Sequence, residues 1–382
     1  KTGTGRLVLS SANTYTGPTS VAGSLTVEND TALGTTDAGT AVTGGASLEL
    51  RGGITVTGET LSLYGLGVAT SGALRNLSGD NTWDGDVTLA AAARINSDAG
   101  TLTIPAGNTI SSAGATYALT VGGAGNVSIL GDLDVAGLLK DGTGELRLAG
   151  SNLRTGPTTV TAGKLVLDYS ALDTTKLSDV AGVLTLSKGT LELSGGSHMQ
   201  EVTSTSLGVG ESRVVRSSGT SVLRMNAITR NLVGTLDFGA ENIAETDSTN
   251  SNGILGGWAT VAATDWATNS TNAVNGPVTA YTGYTANTAS SLGATTANSD
   301  MSGGVDTTVA ASVAINSIRF NDTAARTITI GSGQTLTVTS GGILETANVG
   351  ANANLITGGT LAGGSSGLTV HQYDTDGTLT ID

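Results

Sequence analysis

The sequence contains no cysteine, only four prolines and few aromatic residues. Without cysteine, neither disulfides nor a thiolate metal centre can hold the fold, so packing and hydrogen bonds must stabilise it. Aromatic residues make up 3% of the chain, and a wide globular core normally needs them to fill space. Long apolar runs are missing too. The run Leu89–Ile95 is far shorter than the roughly 18 residues of a membrane span. We therefore expect a narrow aliphatic core and no membrane span.

Positive charge is also scarce. The chain has 17 Lys and Arg against 31 Asp and Glu, a net charge of −14, and the basic residues form no stripe. This argues against nucleic-acid binding. Hydrophobic residues still make up 38% of the chain and charged residues only 13%, which is not the composition of a disordered protein. No pattern predicts a cofactor or a metal site.

What the sequence does have is glycine, at 57 of 382 residues, and repetition. "KTGTGRLVLSSANTYTGPTSVAGSLTV" (1–27) returns as "KDGTGELRLAGSNLRTGPTTVTAGKLVL" (140–167). Leu7 and Leu9 match Leu146 and Leu148, while Val8 is replaced by Arg147. This alternation predicts strands whose leucines face inward.

The turn that follows the first strand of each copy keeps its polar and backbone-specialist residues. Gly and Pro suit tight corners and Asn can bond nearby backbone groups. We interpret the recurrence as a structural corner rather than a ligand-binding loop. The corner residues are Asn13, Gly17, Pro18, Asn152, Gly156 and Pro157.

Short segments with an apolar–polar–apolar plan, such as "GTLTI" (100–104) and "GTLEL" (189–193), recur along the chain. Many short strands with Gly-rich corners predict an all-β parallel solenoid, with coils of roughly 20–25 residues. Roughly 15 such coils, about 4.8 Å apart, would extend about 70 Å. A string of β-sandwiches is the alternative, but sandwich strands are usually longer.

The two long copies resemble the autotransporter-associated β-strand repeat, also called the passenger-associated transport repeat. The shared pattern is approximately G-T-G-x-L-x-L, then N-x-Y-x-G-x-T-x-V, with Pro18, Pro157 and Arg154 departing from it. The resemblance implies a right-handed parallel β-helix that is secreted from, or displayed on, a bacterial cell.

The stretch 241–304 lacks the regular pattern, so we expect three regions: solenoid 1–240, an irregular insertion 241–304 and solenoid 305–382. The insertion holds four of the chain's twelve aromatic residues. Insertions in regular scaffolds often carry function, and aromatic rings beside Asn, Asp and Thr can bind sugars. The alternative is that the rings only pin the insertion to the scaffold. They are Trp258, Trp266, Tyr281 and Tyr284.

Two short motifs weakly resemble known sites in their residue order. "GGSSG" (363–367) has the form of a hydrolase elbow, but a strand pattern follows where the elbow needs a helix. "YDTDG" (373–377) places Asp374 and Asp376 in a calcium-loop-like spacing, with Asp382 downstream, but lacks most EF-hand ligands. Ordinary turns are the favoured interpretation of both.

A third stretch, "GDNTWDGD" (79–86), clusters three carboxylates around Trp83. Carboxylates on a β-helix could serve a polysaccharide hydrolase or lyase. The basic groups and His such enzymes use are missing, and His198 and His371 stand alone. A structural role is favoured for Asp80, Asp84 and Asp86.

The sequence thus predicts a non-enzymatic extracellular structural protein, a passenger-like stalk or a subunit of a fibre or matrix. Both ends lie in mid-pattern, so we expect either a longer precursor or head-to-tail stacking of copies. A carbohydrate-binding adhesin that uses 241–304 is the second hypothesis. A polysaccharide hydrolase or lyase is the third.

Overall fold

The computed structural model describes residues 1–151, 156–178, 182–231, 233–365 and 367–382. These residues form short strands and two single turns of 3-10 helix, Val68–Thr70 and Ala347–Val349. The predicted all-β solenoid is confirmed, because nearly all strand pairs are parallel and join successive coils. Asn152 and Arg154 lie outside the described residues.

The strands up to residue 140 are three to five residues long, except for one of eleven residues. They are β1 (Leu7–Leu9), β2 (Thr19–Val21), β3 (Ser24–Val27), β4 (Thr40–Val42), β5 (Ser47–Arg51), β6 (Thr55–Thr57), β7 (Leu61–Gly65), β8 (Leu74–Ser78), β9 (Asn81–Asp84), β10 (Val87–Ser97), β11 (Thr101–Ile104), β12 (Thr109–Ser111), β13 (Ala118–Gly122), β14 (Asn126–Ile129), β15 (Asp132–Asp134) and β16 (Gly137–Lys140).

The strands of the middle of the chain continue in the same way. They are β17 (Glu145–Leu148), β18 (Thr158–Val160), β19 (Lys164–Asp168), β20 (Val183–Leu186), β21 (Thr190–Ser194), β22 (Met199–Glu201), β23 (Ser204–Leu207), β24 (Gly210–Arg216), β25 (Val222–Arg224), β26 (Ile228–Arg230), β27 (Gly234–Phe238), β28 (Ala244–Thr246), β29 (Ala259–Val261), β30 (Asp265–Asn269) and β31 (Gly276–Ala280).

The remaining strands include two long ones, β37 and β39. They are β32 (Thr285–Ala286), β33 (Asn298–Asp300), β34 (Thr307–Val309), β35 (Val313–Ile315), β36 (Ser317–Phe320), β37 (Thr327–Val338), β38 (Gly342–Glu345), β39 (Ala353–Gly363), β40 (Thr369–Gln372) and β41 (Thr378–Ile381).

The chain divides into two compact units. Unit 1 comprises Lys1–Gly208 and Val215–Met225, and unit 2 comprises Val209–Val214 and Asn226–Asp382. The sequence-based division into 1–240, 241–304 and 305–382 stays a prediction.

Among the described residues, unit 1 contains three long rows of stacked parallel strands and the shorter parallel pair β22-β25. Partners in adjacent coils are separated by 19 residues at Leu119 and Leu138 and by 26 at Thr158 and Leu184, close to the coil length expected from sequence. The rows are β1-β3-β5-β8-β10-β13-β16-β18-β20-β23, β2-β4-β7-β10-β12-β15 and β6-β9-β11-β14-β17-β19-β21.

Aliphatic side chains stack in columns inside unit 1. Leu25, Leu48 and Leu74 are direct partners in successive coils and are buried. In the second repeat, Leu146 and Leu148 are buried as expected from the alternation. In the first, Leu7 is 43% exposed, because it pairs only with Leu25, whereas Leu146 lies between Val127 and Leu165. The columns fill the core of unit 1 mostly with aliphatic side chains, which agrees with the small number of aromatic residues.

The corner residues act between coils as well as within them. The Asn13 amide donates to the carbonyl oxygen of Ala32 in the next coil at 2.8 Å and to that of Ser11 at 3.3 Å. Of the repeat glycines, Gly3 and Gly142 adopt positive φ, 81° and 67°. Gly17 and Gly156 do not, so neither corner needs glycine for its φ. At Gly156 the requirement is space.

Gly156→Ala should therefore destabilise unit 1, whereas Gly17→Ala should be tolerated. A Cβ at Gly156 would lie 1.4 Å from the carbonyl oxygen of Ala136, while one at Gly17 would meet no atom within 4 Å. We expect overpacking to lower the free energy of unfolding by about 1–3 kcal/mol for Gly156→Ala, measured by urea denaturation. Equal effects of the two substitutions would contradict this explanation.

Unit 2 contains parallel ladders and one antiparallel region. The ladders are β32-β33-β36-β38-β40 and β34-β37-β39-β41, and between them lies a core that includes Ile318, Phe320 and Ile343. In the stretch 241–304, β29 pairs antiparallel with β30, and β30 with β31. The expectation that this stretch lacks regular strands is therefore corrected, since backbone pairing was not visible in its Thr- and Asn-rich sequence.

Candidate functional site

Unit 2 brings the four predicted aromatic residues into one neighbourhood but gives them different environments. Trp266, on β30, is fully buried and packs with Ile254 and Leu344. Tyr281 and Tyr284 are half-buried and meet edge to face with ring centroids 5.1 Å apart. The fourth ring, Trp258, is also half-buried. Trp266 thus has no face for a sugar, whereas Trp258 does.

Tyr284 is fixed between the buried tryptophan and an arginine. Its hydroxyl oxygen accepts a hydrogen bond from the Trp266 backbone N–H at 2.9 Å. The Arg319 guanidinium lies 3.6 Å from the Tyr284 ring centroid, in the range of a cation–π contact. Arg319 donates to both carboxylate oxygens of Asp300, at 3.0 and 2.8 Å, and pairs with Asp265. This network holds the antiparallel strands in place. It supports the alternative that the tyrosine ring serves to fix the stretch 241–304 on the scaffold.

His371 packs beside the buried Trp266. Its ring meets Trp266 edge to face at 5.6 Å and stacks on Tyr373 at 5.9 Å. Burial lowers the His371 pKa to about 4, although a hydrogen bond with the Gly257 carbonyl oxygen favours the charged form. At neutral pH the imidazole is therefore uncharged, and it serves packing rather than proton transfer.

Beside this cluster lies a cleft of about 460 Å³, which we call the Trp258 cleft. Its size falls within the range of small-ligand sites in proteins. The lining combines the half-buried indole with a guanidinium, amides and hydroxyls. The lining residues are Arg230, Ser251, Asn252, Leu255, Gly256, Trp258, Asn316, Thr339 and Ser340.

The amides of the Trp258 cleft are held in place by a chain of hydrogen bonds. Asn252 donates to the Asn316 side-chain oxygen at 3.0 Å, and Asn316 donates to that of Asn298 at 2.7 Å. Asn298 in turn donates to the Asn252 carbonyl oxygen at 2.8 Å. The Ser340 hydroxyl donates to the Asn316 carbonyl oxygen at 2.6 Å. The polar wall is therefore ordered before any ligand arrives, which limits the entropy cost of binding.

Trp258 itself is positioned by a glycine. Gly256 has φ 148°, and a Cβ there would lie 2.4 Å from the indole Nε1, so only glycine lets the indole lie against the backbone. Among the described residues, the Trp258 N–H has no hydrogen-bond acceptor, and it is not one of the fully buried unbonded groups. The ring thus offers the cleft both an apolar face and a free donor.

The carboxylates of 79–86 have structural partners. Asp80 and Asp86 accept hydrogen bonds from the backbone N–H groups of Thr101 and Thr109, each at 2.8 Å. Asp84 accepts one from the Asn108 amide at 3.0 Å. These contacts tie each coil to the next. Trp83 is fully buried within the same stretch.

The other weak motifs also have local partners. Asp374 is buried and accepts the N–H groups of Asp376 and Gly377, at 3.1 and 3.0 Å, so it closes a turn. Strand β40, not a helix, follows 363–367, where Ser366 lies outside the described residues.

His198, the second of the two histidines, stacks on Tyr169 at 4.9 Å. Its Nδ1 lies 3.2 Å from a carboxylate oxygen of Asp173. The residue therefore has a packing partner and an acidic neighbour in unit 1.

Two further findings concern metals and membranes. In the part of the chain that the structure describes, no group of three or more His, Cys, Asp or Glu is placed to hold a metal ion. Among the same residues, no helix has the length and apolar character needed to cross a bilayer.

Sequence reasoning selected Trp258 but missed its partners in the cleft. Arg230, Asn252 and Asn316 come from separate stretches, and only the packing of separate sheets within unit 2 brings them together. Their one visible signal is the Asn-rich composition near 249–252, which by itself does not distinguish a loop from a binding wall.

The fold and the repeats define a parallel β-solenoid assembled from related coils. The Passenger-associated-transport-repeat family matches residues 1–27 and 138–167, the two copies recognised in the sequence. The chain is 33% identical over 401 residues to the "Adhesin BmaC autotransporter" of Brucella suis biovar 1 (strain 1330). That alignment covers 99% of this chain and 10% of the relative. No solved structure is significantly similar.

The chain carries two copies of the passenger-associated transport repeat and is similar, over nearly its whole length, to part of an autotransporter adhesin. The suspected repeat family is confirmed. The repeat and the relative indicate an extracellular or cell-surface location. The chain spans about a tenth of the length of the relative it matches.

Proposed function

We propose that this chain is a non-enzymatic segment of a surface passenger, in which the solenoid acts as a stalk and the Trp258 cleft binds saccharide. The observation that carries the proposal is the half-buried Trp258 ring, whose unbonded N–H stands beside ordered amides and hydroxyls. Sugars are recognised by an apolar surface for the ring face and a few convergent polar groups for the hydroxyls.

The name of the relative supports an adhesive role, since that protein is called an adhesin. A catalytic role has less support, because Asp80, Asp84 and Asp86 are each engaged in holding a neighbouring coil. Membership of a longer precursor and head-to-tail association of copies stay predictions.

Trp258→Ala should reduce saccharide binding by at least about 30-fold, because an aromatic anchor commonly supplies about 2 kcal/mol or more at the centre of a site. Binding is measured on a glycan array and then by titration calorimetry with the best-bound glycan. The matched control is Tyr64→Ala, which removes a 51% exposed ring from unit 1 and should leave binding unchanged.

Circular dichroism checks that both variants remain folded. If the unsubstituted chain binds no glycan, or if Trp258→Ala binds as tightly as before, the adhesive part of the proposal is wrong. The stalk would then be the remaining function.

A further inference from the structure

Among the described residues that line the Trp258 cleft, Arg230 alone carries a charge. It ends β26 and is half-buried. Its Nε donates to the Gly234 carbonyl oxygen at 2.6 Å, and one terminal nitrogen donates to the Thr369 hydroxyl at 3.2 Å. Both acceptors are neutral. Within the described part of the chain, no carboxylate forms an ion pair with this guanidinium.

Other shielded arginines of unit 2 are paired with acids. Arg319 binds Asp300 and Asp265, and Arg326 binds Asp322; the more exposed Arg213 also pairs, with Asp237. The chain has 31 acidic residues for 17 basic ones, so acidic partners are plentiful. Arg230 departs from this rule. Burial lowers the pKa of its guanidinium, but arginine remains charged in proteins, and a shielded cation without a counter-ion is costly.

The groups around Arg230 favour a ligand that accepts hydrogen bonds. The Trp258 indole N–H is unbonded, the Asn252 amide donates one N–H to Asn316, and the Asn316 amide donates one to Asn298. One terminal nitrogen of Arg230 makes no hydrogen bond to the described residues. A planar guanidinium with free N–H groups matches a carboxylate in geometry and charge.

We propose that the Trp258 cleft takes a saccharide that carries a carboxylate, a sugar acid of the uronic type. The carboxylate binds at Arg230 and the sugar ring lies against Trp258. This inference rests on the proposed function, because it names the class of saccharide that the same cleft binds. It also explains how an acidic protein could hold an anionic ligand, since the charge that Arg230 brings to the cleft is positive.

The test compares probes that differ only in charge. Galacturonate and glucuronate oligosaccharides and their methyl esters are titrated into the whole chain by calorimetry. A charge-assisted hydrogen bond is roughly twice as strong as a neutral one, so at least one acid should bind about 10-fold or more tightly than its ester. The preference should shrink as salt is raised, since exposed charges are screened.

Substitution of Arg230 should remove the preference for the acid over the ester, while the Trp258 cleft should still bind saccharide. Arg230→Gln should bind acid and ester alike, with the ester affinity unchanged, whereas Trp258→Ala should weaken both. Arg230→Lys keeps a charge without the planar fork and should keep part of the preference. Arg51→Gln, which removes an exposed arginine paired with Glu28, is the matched control and should behave like the unsubstituted chain.

The outcomes separate the two proposals. If the unsubstituted chain binds ester and acid equally, or prefers neutral or sulfated glycans on the array, the sugar-acid inference is overturned and saccharide binding stands. If it binds no glycan at all, both are overturned. If Arg230→Gln does not fold, the acid–ester comparison in the unsubstituted chain and in Arg230→Lys decides.

Discussion

Trp266→Ala should lower the free energy of unfolding of unit 2 by about 3–5 kcal/mol, the usual cost of removing a buried aromatic side chain. The Trp266 ring is fully buried. It packs with Ile254 and Leu344, and its six-membered ring lies against Gly342. Short antiparallel strands have little freedom to collapse into the space that alanine would leave. Chemical denaturation followed by circular dichroism measures the effect, since tryptophan fluorescence changes with the substitution.

Trp266→Phe is the matched control. The indole N–H of Trp266 is buried and has no hydrogen-bond partner among the described residues, a condition that costs about 1–3 kcal/mol. Phenylalanine keeps an aromatic ring in the same space and removes that unbonded donor. We therefore expect it to cost clearly less than alanine. Trp258→Ala, which removes a half-buried ring, should also cost less. An unfolding curve of Trp266→Ala that overlays that of the unsubstituted chain would show that the ring is no core residue.

Acid should weaken unit 2 through His371. The pKa of this buried imidazole is lowered from 6.5 to about 4, so below pH 6.5 the unfolded chain takes up a proton that the folded chain refuses. The His371 contribution to stability is therefore complete above about pH 6.5 and is lost as the pH falls towards 4. At 1.36 kcal/mol per pKa unit, the loss amounts to about 3 kcal/mol.

The charges near His371 explain why the shift is downward. Burial is the largest cause, and the positive Arg230 adds to it, while the Gly257 carbonyl and Asp237 oppose it. The Tyr373 ring stacks on the imidazole and brings no charge at these pH values.

The measurement is the free energy of unfolding between pH 7 and pH 4, for the unsubstituted chain and for His371→Gln. Carboxylates titrate in both, so the difference between the two curves isolates His371. We expect this difference to change by about 3 kcal/mol across the window. Parallel curves would mean that the imidazole is protonated as easily in the folded chain as in the unfolded one.

Much of the structure of unit 1 could be predicted from the sequence, because the inward or outward direction of a strand side chain depends only on its neighbours along the chain. Alternation places Leu146 and Leu148 inside, and a side-chain period of two requires no knowledge of distant residues. The recurrence of short strand segments also predicted coils of roughly 20–25 residues. The reason for the corner glycine could not be predicted in this way. Gly156 is needed because the backbone of Ala136 in a neighbouring coil approaches closely, and the sequence of the repeat does not show which residue of the neighbouring coil will lie there.

The stretch 241–304 shows the limit of this reasoning. Its composition predicted irregular backbone, yet β29, β30 and β31 form antiparallel pairs, because β-propensity depends strongly on what a strand packs against. The aromatic cluster was visible as a local enrichment. Which ring is core and which is accessible was not, since a tryptophan suits either place.

The sequence by itself determined the fold class and the repeat, because both follow from periodic or local patterns. The extracellular or cell-surface location is what the resemblance to the repeat family implies. Only the tertiary structure decided that Trp266 is buried while Trp258 faces a cleft. It also decided that Arg230, Asn252 and Asn316 share that cleft. The physical reason is that unit 2 packs segments far apart in the chain against one another, as in the Asn252–Asn316 and Arg230–Thr369 hydrogen bonds. The members of such a binding surface need share no pattern along the chain.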